Sequence, residues 1–121
     1  MSDHLLKTAL NQFTGTTRYS ALCRQVLLTD GALFLAESAG CFWLMDVYAS
    51  HLLTSIKGDL EPFTVLNLVK QGHAAHVTLD DGNGRVLAEQ AIEYTDFPLD
   101  HIQLYGCWQD DVWILMLPSE Y

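Results

Sequence analysis

Basic side chains are scarce in this chain. Six Lys and Arg stand against fifteen Asp and Glu in 121 residues, a formal net charge of −9. Phosphate backbones are held by clustered Lys and Arg. No such cluster occurs, which argues against direct nucleic-acid binding. Long apolar runs are missing too. The uncharged apolar stretch Ser38 to Met45, like every other, falls far short of the ~20 residues that a membrane-spanning helix needs. No membrane association is therefore expected. The opening Met1-Ser2-Asp3-His4 lacks the basic start and apolar run of a secretory signal, so the expected location is the cytoplasm. Cysteine is sparse as well. Cys23, Cys41 and Cys107 are odd in number and widely spaced, which excludes a disulfide framework and fits reduced thiols.

What is present is apolar bulk. Hydrophobic residues make up 50% of the chain and charged residues 17%, so a real core can form and general disorder is excluded. The length fits one domain, residues 1–121. Charge is uneven: residues 61–121 hold Lys70 and Arg85 against ten acids, and so carry most of the net charge. Those acids come singly or in pairs, a pattern that keeps an apolar chain soluble.

The periodicity changes near Pro62. Before it, Leu5, Leu6, Ala9, Leu10 and Phe13 share one helical face, with Ser2 as a cap and Asp3 at the positive helix end. A strand is expected over 23–29. Asp30 reads as the N-cap of a short helix over 31–39, which Gly40 stops. A longer helix covers about 42–57. Its polar residues Asp46, Ser50, Thr54 and Lys57 form one solvent stripe, and Gly58 ends it. After Pro62 the pattern is strand-like. Ala75, Val77 and Leu79 alternate, Asp81-Gly82-Asn83-Gly84 signals a hairpin, and Ile102, Leu104, Gly106 and Trp108 alternate again. Val112 to Leu117 reads as a central strand that Pro118 ends. The expected fold is α+β: N-terminal helices packed on an antiparallel meander of four or five strands.

No catalytic constellation stands out. His73-x-x-His76 is the closest histidine pair, but strand positions three apart face opposite ways. The spacings of zinc sites are missing, so no metal or other cofactor is expected. Cys41 follows a glycine near a helix start, yet His51 lies almost three turns away. Asp46, Asp96, His101, Glu120 and Tyr121 are the polar site candidates. Among the aromatic residues, Trp108 and Trp113 flank a turn and would meet across a hairpin. With Tyr105 they are the interface candidates, because interfaces enrich Trp and Tyr.

The chain resembles a family of small bacterial proteins of unknown function. The resemblance rests on Gln12-Phe13-Thr14-Gly15-Thr16, on Thr29-Asp30-Gly31 with Phe34-Leu35-Ala36-Glu37, and on Trp43-Leu44-x-Asp46. It continues in Tyr94-Thr95-Asp96-Phe97-Pro98-Leu99 and in Leu117-Pro118-Ser119-Glu120-Tyr121. Such families often sit in accessory or mobile DNA, including gene cassettes. The resemblance carries no activity and no catalytic residue. The expected function is a non-catalytic binding or protein-interaction module, acting as a homodimer or with another protein. Two alternatives are a small hydrolase or transferase whose Asp and His residues converge in a pocket, and an acidic inhibitor of a nucleic-acid-binding protein.

Overall fold

The computed structural model describes residues 3–121. The expected cap Ser2 and the side chain of Asp3 lie outside the described part. Among the described residues, three helices occur: α1 (Asp3–Leu10), α2 (Asp30–Ser38) and α3 (Phe42–Ser55). The described residues also form seven strands: β1 (Ser20–Cys23), β2 (Val26–Leu28), β3 (Phe63–Gln71), β4 (Ala74–Asp80), β5 (Val86–Ile92), β6 (His101–Gln109) and β7 (Val112–Met116). A single turn of 3-10 helix, Pro118–Glu120, follows.

The sheet is larger than expected and is not a meander. Its order is β1-β2-β7-β6-β3-β4-β5. Two features account for this. First, the expected strand over 23–29 is a hairpin, bent at Gln25, which takes φ 68°. Its second arm, β2, pairs in parallel with β7, so the sheet is mixed. Second, β5 does not pair with β6. The chain leaves the β5 edge and returns to place β6 beside β3. The crossing segment is tied down as it passes. Thr95 N–H donates to His73 O at 2.6 Å, Lys70 N–H donates to Asp100 O at 2.8 Å, and Phe97 and Leu99 are buried.

The local stops behave as their chemistry requires. Gly40 takes φ 61°, and Cys41 N–H donates back to Ala36 O at 2.9 Å, closing the end of α2. The N-cap of α2 is Thr29, not Asp30, and its hydroxyl accepts from Ala32 N–H. Asp30 instead accepts from Thr17 N–H and the Thr17 hydroxyl, which holds its carboxyl below the usual range. Gly58 is not the stop of α3, whose cap is Ile56 in extended backbone. Gly58 is needed for space, because a methyl there would overlap the Trp108 ring. At the β4–β5 turn, Asp81 Oδ1 accepts from Asn83 and Arg85 N–H, and Gly82 and Gly84 take positive φ. Between β6 and β7, Asp110 and Asp111 both take positive φ, the backbone of a type I′ turn.

The contacts from α3 reach one face of the sheet. Tyr48 is fully buried, and its hydroxyl donates to Thr64 O at 3.1 Å and lies 2.8 Å from Thr64 Oγ1. Thr64 Oγ1 in turn donates to Gly106 O at 3.1 Å. A side chain at 106 would strike the Tyr48 hydroxyl, so the glycine in the β6 alternation makes room for this relay. His51 meets Gln90 at 2.9 Å. Leu66, Leu68, Val77, Leu79 and Leu104 fill the core between these contacts. Of the expected stripe, Asp46, Ser50 and Thr54 are exposed on α3, whereas Lys57, also exposed, lies beyond the helix end at Ser55. Among the described residues, no helix is long and apolar enough to cross a membrane.

Candidate interaction surface

Side chains alternate along a strand, so the register assigns the other face of the sheet residue by residue. Cross-strand partners Leu27, Ile114, Cys107 and Phe63 make one row. Met116, Tyr105, Val65 and Asp80 make the next. Gln103, Asn67, Thr78 and Glu89 follow, then His101, Val69, His76 and Ala91. None of these positions is Lys or Arg. Val65 and Ile114 on it are buried, Phe63, Tyr105, Cys107 and Met116 are half-buried, and Val69 is exposed.

Its centre is aromatic. Phe63 meets Tyr105 edge-on, with ring centroids 5.0 Å apart. Tyr121 leans over both, at 5.2 Å from Phe63 and 5.5 Å from Tyr105. Tyr121 is 76% exposed, while Phe63 and Tyr105 are half-buried. Phe63 also lies against Gly82, where a side chain would push it aside. Beside the rings runs a polar strip. Gln103 Nε2–H donates to Asn67 Oδ1 at 3.2 Å, and Asn67 Nδ2–H donates to Asp80 Oδ2 at 3.4 Å. Asp80 Oδ1 is taken by Gly82 N–H at 2.7 Å. His76 and Glu89 approach to 3.3 Å, both exposed. An apolar centre with a satisfied polar margin is the anatomy of a recognition surface.

The candidates from sequence scatter instructively. Tyr105 and Tyr121 come together, in a cluster completed by Phe63. Trp108 and Trp113 also meet, edge-on at 5.2 Å, but on the helix side of the sheet. Trp113 is 1% exposed and so offers no surface. Trp108 is half-buried over Gly58, with Nε1–H donating to Asp59 Oδ1 at 3.2 Å. Glu120 is an internal fastener. Its carboxylate accepts from the Thr29 hydroxyl and from the N–H groups of Gly31 and Leu117. Asp46 is exposed on α3, and Asp96 is exposed in the segment between β5 and β6. His101 is exposed and lines a cavity at the start of β6. Among the described residues, no group of three or more His, Cys, Asp or Glu is placed to hold a metal ion. His73 stacks on Tyr94 at 5.5 Å.

Phe63 escaped the sequence reading because it looks like an ordinary first strand residue. A signal existed. Phe63, Val65 and Val69 are apolar on the face opposite Thr64, Leu66 and Leu68, more than a half-buried strand requires.

The model of a family of unknown function, DUF6876, matches residues 4–121. The chain belongs to this family. No curated protein matches the sequence. A crystal structure of a protein of unknown function from Enterococcus faecalis is similar, with a TM-score of 0.55 and 16% identity. The match covers 86% of this chain and 98% of that one. This DUF6876 chain therefore shares its fold with a solved protein. The family match spans both ring-bearing strands and the closing Tyr121, so the aromatic face lies wholly inside the family domain.

Proposed function

We propose that this protein is a non-catalytic protein-interaction module that works as a homodimer, two copies meeting across the sheet face that carries Phe63, Tyr105 and Tyr121. The observation behind this reading is the half-exposed ring cluster on a face without Lys or Arg. Seven strands at ~4.8 Å spacing and about 20 Å long present roughly 650 Å² in projection. A stable complex uses ~800 Å² of accessible surface per partner, so the face is of suitable size.

Charge favours a second copy as the occupant. The acids that make the net charge −9 lie largely away from this face, at turns and on helices. Of the two acids on its rows, Asp80 is bonded to Asn67 and Gly82, and Glu89 sits beside His76. A strongly basic partner would find no acidic stripe here. A second neutral, aromatic face suits it better. The cytoplasm, and an accessory-genome setting such as a gene cassette, complete the proposal.

Sedimentation at micromolar concentration tests it. The wild type is expected at twice the 13.6 kDa chain mass, and Tyr105→Asp at the chain mass. A wild type that stays at the chain mass in both low and high salt would overturn the dimer.

A further inference from the structure

We infer that a cavity between α1, the start of β6 and the segment after β7 is a binding site for a small carboxylate with a short aliphatic tail. This inference does not rest on the dimer, although His101 and Gln103 of the lining also stand on the rows of the proposed dimer face. The cavity measures about 290 Å³. That is the lower end of the ~300–1,000 Å³ typical of small-ligand sites, enough for a molecule of roughly ten heavy atoms. Its floor is apolar, with Leu10, Leu99 and Leu117 all buried in the core. Its rim is polar, with Lys7, Asn11 and His101.

The sign of the charge decides the ligand class. Asp and Glu outnumber Lys and Arg by fifteen to six in this chain, yet none of the lining residues is acidic. The formal charge on the lining is the Lys7 ammonium, which makes no ion pair among the described residues. Three of the carbonyls at the end of α1 are already taken. Asn11, Gln12 and Phe13 N–H groups donate to Lys7, Ala9 and Leu10 O at 3.1–3.2 Å. These bonds reduce the carbonyl charge that the helix end sets against a bound anion. A carboxylate at Lys7 and Asn11 directs its tail onto the leucine floor. Such a site prefers an amphiphilic acid over either a bare anion or a neutral alcohol.

Titration of the full chain with hexanoate, hexanol and inorganic phosphate, followed by amide NMR, tests this. Hexanoate should bind saturably and shift Asn11, His101 and Gln103. Hexanol should bind at least about fivefold more weakly, and phosphate should not saturate, as one charge-assisted contact implies. Lys7→Gln, at an exposed position, should weaken hexanoate about fivefold and leave hexanol unchanged. Ser119→Trp, also exposed, should fill the opening and block both. Failure of hexanoate to saturate, equal binding of hexanol, phosphate saturating as hexanoate does, or a Lys7→Gln affinity equal to wild type would each overturn the site.

Discussion

Glu120 closes on Gly31, 89 residues earlier, with Oε2 accepting the Gly31 N–H at 3.0 Å. Its other oxygen accepts from the Thr29 hydroxyl at 2.7 Å and from Leu117 N–H at 3.0 Å. The carboxylate thus sits at the positive end of α2, where negative charge is favoured. Glycine at 31 is what allows the approach, since a methyl would overlap the carboxylate and Leu117. Glu120→Ala should lower stability by about 1–2 kcal/mol, with Glu120→Gln in between, as read by urea unfolding. An unchanged midpoint for both variants would mean that the tail is held by other contacts.

The Trp108 ring occupies the space above Gly58, and Trp113 stands edge-on to it. Gly58→Ala forces a methyl into that ring. Overpacking of this kind costs about 1–3 kcal/mol. The loss should appear in denaturant curves followed by Trp fluorescence, together with a changed native emission. Trp108→Phe should relieve much of the cost in the double variant.

Much of the fold was legible in local chemistry. The α3 stripe, the Gly40 stop and the Asp81–Gly84 turn all follow from residue type and spacing. The sheet order did not. The β1–β2 hairpin turns at Arg24-Gln25, and a glutamine at positive φ carries no turn signature. The β5–β6 crossing breaks the usual pairing of consecutive strands, and what guides it is the tertiary burial of Phe97 and Leu99. At the candidate surface, Tyr105 and Tyr121 were visible as aromatic residues, but only the register of β6 beside β3 brings Phe63 to them. The two Trp residues met as expected and landed on the buried side, because their parity matches Leu104 and Leu115.

Asp30 links the 14–17 loop to α2. The Thr17 N–H is the main cause of its lowered pKa, so folding favours its charged form. The stability it adds is therefore complete above its ordinary 3.8 and fades as pH falls below that value through the folded one. Asp30→Asn should show a shallower loss of stability on acidification in that window, and a lower stability at neutral pH. Parallel acid limbs for wild type and variant would contradict this role.

The thiols should separate by rate. Cys23 is exposed, Cys107 half-buried and Cys41 fully buried, with burial pushing the Cys41 thiol up to about 12. Alkylation of the native protein at mildly alkaline pH should modify Cys23 first and Cys41 only on unfolding. Cys107 lies in the row beside Phe63 on the proposed dimer face. Its rate should fall as protein concentration rises, while the Cys23 rate should not. Peptide mass mapping over time reads all three, and a Cys41 that reacts as fast as Cys23 would refute the order.

The most direct test of the dimer face is a dilution series of the methyl-labelled protein followed by NMR. Ile114 and Met116 lie on the rows beside Tyr105, whereas Leu53 is an exposed side chain of α3. The Ile114 and Met116 methyl signals should move together along one binding curve as the protein is diluted, with Leu53 fixed. Movement of Leu53 with Ile114 and Met116 fixed, or no movement at any concentration, would contradict this sheet face as the site of self-association.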